Sequence, residues 1–105
     1  MTKARCLSLT AMKLEWDENK RASNLKKHSI DFDDAQLIFN DEAIIVEDRR
    51  KDYGEKRYRL INFLHGELVI LVFTKRNDSV RVISLRKANK RERETYVQDR
   101  FQAPS

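Results

Sequence analysis

Leu68-Val69-Ile70-Leu71-Val72-Phe73 is an unbroken apolar run of strand-forming residues. It is far too short to span a bilayer. Apolar on both faces, it must be a central strand of a sheet, covered on either side. His65-Gly66 precedes it as a tight hairpin turn, with Gly66 able to take positive φ. The strand before that turn, Arg57 to Leu64, alternates: Tyr58, Leu60 and Leu64 share one face with Asn62, and Arg57, Arg59, Ile61 and Phe63 share the other. A chain of 105 residues with this hairpin at its centre is expected to be one small sheet-based domain.

The remaining elements follow from local pattern. Met12 to Trp16 alternates as a first strand, with Leu14 and Trp16 inward. Asp17 is an N-cap for a helix over 18–27, with Ala22 and Leu25 inward. Asp31 or Asp33 caps a second helix whose Ala35, Ile38 and Phe39 fall on one side. Ala43 to Glu47 is a second strand, Val80 to Arg86 a fifth, and a polar helix runs over 89–99. Ala88, Tyr96, Val97 and Phe101 are its only packing stripe. The order β-α-α-β-β-β-β-α predicts an α+β fold: a curled, mostly antiparallel sheet, two N-terminal helices on one face, and a C-terminal helix. Residues 1–11 read as a disordered extension, ahead of the better-patterned segment that Met12 begins, and 12–105 as a single domain.

Cys6 is the one cysteine, so a reducing cytoplasm is expected. His28 and His65 lack partners at metal-ligand spacing, and only Gly54 and Gly66 are glycines. These counts argue against a zinc site, a phosphate-cradling loop, or any cofactor. Charge is uneven: residues 1–48 hold 7 Lys/Arg against 10 Asp/Glu, and residues 49–105 hold 15 against 7. Such asymmetry fits a nucleic-acid partner, or a merely well-solvated surface.

The cations concentrate in Thr74-Lys75-Arg76, Arg81-Val82-Ile83-Ser84-Leu85-Arg86-Lys87-Ala88 and Lys90-Arg91-Glu92-Arg93. A guanidinium matches phosphate with a planar fork of donors. Arg76, Arg81 and Arg86 are therefore candidates for phosphate contact, and the alternative is surface arginines paired to Glu92 or Asp78. Arg81 and Arg86 are an odd number of residues apart, so regular alternation puts them on opposite faces unless a bulge re-aims one. Ser84 can hydrogen-bond phosphate or fill a small core site. His28 can act as acid or base, or simply favour a helix C-terminus. Lys27, Arg57, Thr74 and Lys75 are candidate RNA-backbone contacts.

Trp16-Asp17-Glu18, Asn24-Leu25-Lys26-Lys27-His28, Phe32, Ala35, Phe39, Glu55, Arg57, the Thr74–Arg76 and Arg81–Ala88 segments, Glu92-Arg93 and Tyr96 together resemble the BrnT toxin family. Ser29 stands where relatives usually have Gly, and Leu85 where they often have Ala. The resemblance implies a RelE-like fold and a metal-independent endoribonuclease toxin of a type II toxin–antitoxin system that inhibits translation. It implies a BrnA-like antitoxin as partner, and operator DNA met through the toxin–antitoxin complex. The competing class is a non-catalytic nucleic-acid binder or antitoxin-binding co-repressor using the same cations.

Overall fold

The structure is a computed structural model that describes residues 13–50 and 52–102. The expected extension over 1–11, Met12 of the first strand and the side chain of Phe101 lie outside the described residues. In chain order the elements are β1 (Lys13–Glu15), α1 (Glu18–His28), a 3₁₀ helix (Phe32–Leu37), β2 (Ile44–Asp48), β3 (Arg57–Leu64), β4 (Glu67–Arg76), β5 (Ser79–Lys87) and α2 (Lys90–Gln102). The strands form one sheet in the order β1-β5-β4-β3-β2. β2 to β5 pair antiparallel, and β1 runs parallel to β5. The fold is thus α+β with a mixed, mostly antiparallel sheet, and the apolar run of β4 occupies its middle. His65 (φ 51°) and Gly66 (φ 82°) make the β3–β4 turn with both residues left-handed, the twist that suits a two-residue hairpin.

One face of the sheet packs the main core. Leu60, Leu71, Phe73, Val80, Val82 and Leu85 meet Phe32, Ala35 and Ile38 there. Phe73 is clasped by Phe39 edge-on at 5.3 Å and by Tyr58 stacked at 5.5 Å. The segment around Ala35 and Ile38 is 3₁₀ rather than α-helical. Asp31 caps it, accepting from Asp33 N at 3.1 Å, and Ile38 N–H already bonds three residues back to Ala35 O at 3.1 Å. Six residues in this tighter winding, with Ile38 as C-cap, are enough to bury Phe32, Ala35 and Ile38.

α1 does not face the core as its apolar residues suggest. Leu25 is 42% exposed and Ala22 is also exposed, whereas Asn24 is buried. The reason lies in β5. β1 pairs with only Ser79–Arg81, so the edge of β5 beyond them needs other partners. Asn24 supplies them: Nδ2 donates to Leu85 O at 2.7 Å and to Ile30 O at 3.1 Å, and Oδ1 accepts from Leu85 N at 3.2 Å. An apolar side chain could satisfy none of these groups. α1 ends at Ser29, whose φ of 60° is left-handed.

The opposite face carries a smaller cluster, Leu68, Ile70 and Ala88, against which Ile61 and Tyr96 of α2 pack. Between the faces β5 is irregular. Val72 pairs with Ser84 but Phe73 pairs with Val82, so Ile83 is an extra residue with no partner on β4.

Asn24→Ala leaves the Leu85 and Ile30 main-chain groups unpaired, and is expected to destabilise by about 3 kcal/mol in urea melts. Ser29→Gly removes a left-handed L-residue and is expected to stabilise by about 0.5–1 kcal/mol, read as a rise in Tm.

Candidate nucleic-acid interface

The bulge at Ile83 decides how the arginines are displayed. Paired residues on neighbouring strands share a face. Arg81 pairs with Thr74, Ser84 with Val72 and Arg86 with Ile70, three residues that alternate on the same side of β4. The extra residue therefore turns the odd spacing into a common face, and Arg81, Ser84 and Arg86 all lie opposite the main core. The same register brings Arg59, beside Val72, and Arg57 of β3 onto that face.

Each cation has its own surroundings. Arg86 Nη1 and Nη2 bond Glu92 Oε1 and Oε2, each at 2.8 Å. Arg81 Nη1 meets Glu15 Oε2 at 3.3 Å. The alternative of an arginine paired to Glu92 is thus what Arg86 shows, and both arginines keep about a third of their side chains exposed. Ser84 is half-buried between them. About 16 Å of strand separates Arg81 from Arg86, so they stand at different parts of the face. Arg76 is exposed at the end of β4, with no ion pair among the described residues.

The other candidates do not gather there. Lys75 lies over the Tyr58 ring at 5.5 Å, on the core side of the sheet. Thr74 is buried, and its hydroxyl donates to Lys56 O at 2.8 Å. Arg57 stacks over Tyr53 at 4.2 Å and meets Glu55 at 3.4 Å. His28 is half-buried and Lys27 exposed in the last turn of α1, and no hydrogen bond joins either to the arginine face. His65 stands exposed in its turn. Among the described residues, no three of His, Cys, Asp and Glu are grouped to hold a metal, and no helix is long and apolar enough to cross a membrane.

The sequence-based set of site residues lacks Arg50 and Arg59, and it names Glu92 only as a pairing partner for an arginine. Glu92 forms a capping box with Asn89: Asn89 N donates to Glu92 Oε1 at 2.9 Å, and Glu92 N donates to Asn89 Oδ1 at 2.8 Å. The N-x-x-E spacing ahead of a helix was the available signal. Arg50 bonds the buried Asp48 through Nε at 2.8 Å and Nη2 at 2.9 Å, with Tyr53 Oη donating to the same carboxylate at 3.2 Å. Arg50 holds Asp48 well below the usual carboxylate range, and its charge also repels that of Arg86. Arg59 has a buried Nε with no hydrogen-bond partner. No local sequence feature announces it.

Fold and face define a small α+β protein with arginines of β3 and β5 gathered on the sheet surface opposite its main core. A family model described as ribonuclease toxin, BrnT, of type II toxin-antitoxin system matches residues 16–92, most of the chain. The chain belongs to that family, whose members are ribonuclease toxins paired with an antitoxin. No curated protein matches the chain.

The bond to Arg86 lowers Glu92 from its ordinary 4.5 to about 2, with help from Asn89 N–H and the charge of Arg59. A carboxylate depressed on folding stabilises above its unfolded value and loses that contribution as pH falls through the folded one. Wild type is therefore expected to exceed Glu92→Gln in Tm at neutral pH, and the gap to close as pH drops from 4.5 toward 2. Paired thermal melts read the difference.

Proposed function

We propose that this chain is a metal-independent endoribonuclease toxin with a RelE-like fold, acting in the cytoplasm to block translation. A BrnA-like antitoxin neutralises it, and the pair together binds operator DNA. The observation that carries the reading is the Ile83 bulge, which gives Arg81, Ser84 and Arg86 a common face. Cleavage has the RNA 2′-oxygen attack the adjacent phosphorus as the bond to the 5′-oxygen breaks. The products are a 2′,3′-cyclic phosphate and a 5′-hydroxyl. Negative charge grows on the non-bridging oxygens, where fixed guanidinium donors act most strongly. Arg81 neutralises that charge with Ser84 adding a hydrogen bond, while Arg86, about 16 Å along the strand, and Arg76 hold neighbouring phosphates of the same RNA. Arginine stays protonated, so the base that takes the 2′-hydroxyl proton and the acid that gives a proton to the departing 5′-oxygen are other groups. His28, unconnected to this face, is assigned no step.

The ion pairs of Arg81 with Glu15 and Arg86 with Glu92 favour a second reading. In it the arginines give affinity alone, and the protein serves as nucleic-acid binder or co-repressor.

Product analysis separates the two. With a chelator present, wild type is expected to leave cyclic phosphate ends. Arg81→Ala is expected to slow cleavage about 10²–10³-fold while weakening RNA binding far less. Equal losses in both would favour the binding-only reading, as would the absence of cleavage by wild type. Expression is also expected to arrest growth, with relief by the product of the neighbouring reading frame.

A further inference from the structure

Arg59 sits mid-strand on β3, between Val46 of β2 and Val72 of β4. Its Nε is sealed from solvent and donates to nothing. Such an orphaned donor is destabilising, and more so when it is charged. Nearby cations are treated differently: Arg50 has Asp48, and Arg57 has Glu55 and the Tyr53 ring. Arg59 lines a groove of about 390 Å³ between the sheet and α2, walled by Val46, Ile61 and Ile70, with Glu92 also at its edge. The charge of Arg59 acts on Glu92, whose two oxygens fill the fork of Arg86. Glu92 is thus held in the fork of Arg86, while Arg59, lining the same groove as Glu92, retains an unused donor.

We propose that Arg59 and Arg86 form a phosphate seat, and that Glu92 occupies it in the unliganded protein as a carboxylate stand-in that an RNA phosphate displaces. The identity of the ligand rests on the ribonuclease reading. The exchange is balanced in charge, because a phosphodiester and a carboxylate each carry one negative charge. Both present two oxygens to an arginine fork. A phosphodiester on Arg86 can also offer acceptors to the part-exposed guanidinium of Arg59, which has no ion pair among the described residues. The apolar walls beside Arg59 suit the face of an adjoining base. Glu92 is then a brake on affinity, and Arg59 a positioning residue for the bound phosphate.

The test uses the full chain and a labelled single-stranded 2′-O-methyl RNA oligonucleotide, which cannot be cleaved, read by fluorescence anisotropy. Glu92→Gln keeps the capping box, since Gln serves at that position, but removes the charge. It is expected to tighten Kd about tenfold, the size of one charge-assisted hydrogen bond. Glu94→Gln, one charge fewer on the exposed side of the same helix, is expected to change Kd less than about twofold. Arg59→Met is expected to weaken binding about tenfold with no fall in Tm, a combination that a purely structural arginine would not give. Equal gains from Glu92→Gln and Glu94→Gln, no gain from Glu92→Gln, or unchanged binding by Arg59→Met would each overturn the proposal. Should Glu92→Gln not fold, the Arg59→Met arm decides alone. Cleavage of all-ribose RNA is measured in parallel. An inactive wild type with the Glu92→Gln gain intact removes the ribonuclease reading and keeps the seat, and activity without that gain removes the seat alone.

Discussion

Burial of Leu85 beside Val80 and Val82 governs what the rest of the molecule can display. All three side chains are almost wholly enclosed in the main core. Val80 and Val82 keep the two-residue spacing of a strand, but Leu85 follows Val82 by three. A regular strand would push Leu85 outward and Arg86 into the core. Exposing a leucine forfeits about 1.5–3 kcal/mol, and an unpaired buried guanidinium costs far more. An unpaired Ile83 resolves both conflicts with a local loss of ladder pairing. Asn24 then grips Leu85 at its N–H and C=O, on the edge away from β4. The core residue, the bulge and a buried amide on α1 jointly fix the arginine face.

That arrangement couples α2 to the same face. The helix is polar, and thirteen residues are marginal as an isolated helix. It is held by the Asn89–Glu92 box, by Arg93 Nη1 donating to Ala88 O at 2.9 Å, and by Tyr96 set edge-on against Phe63 at 5.6 Å. Glu92 belongs both to the first turn of the helix and to the fork of Arg86. Whatever competes for Arg86 therefore also pulls on the anchor of α2. The protein's most cationic strand and its least apolar helix are energetically one unit.

The parts legible in the sequence are those where period and apolarity agree. β3 and β4 declare themselves through alternation and an unbroken apolar run, and their turn through His65-Gly66. The capping of α1 by Asp17 is equally local, with Asn19 N donating to Oδ1 at 2.8 Å. What stays hidden depends on partners distant in the chain. Asn24 looks like a surface residue until the short β1 leaves β5 with an open edge 61 residues away. Ala22 and Leu25 look inward until that requirement turns α1. The joint placement of Arg81, Ser84 and Arg86 is half legible: their types suggest phosphate, but parity alone sends two of them apart. Thr74 and Lys75 are misleading for the converse reason, since one is spent on Lys56 O and the other lies across Tyr58. Membership of the family was readable from spaced fragments, none informative alone, because their order and spacing together are more specific than any single residue.

The pairing pattern of the cations separates local pairs from tertiary ones. Arg49 with Glu47, Arg50 with Asp48 and Arg57 with Glu55 are each two residues apart. Such pairs form within one strand end or loop and need no tertiary docking. They neutralise the β2–β3 end of the sheet and, through Asp48, hold Arg50 aside. Arg81 and Arg86 instead find their carboxylates on other elements, β1 and α2. Both pairs are partly exposed, where an ion pair contributes only about 0–1 kcal/mol and water can enter. Exchanging those carboxylates for another anion leaves β3, β4 and β5 paired as they are. The face can thus trade its internal partners for an external one without unfolding the sheet that presents it.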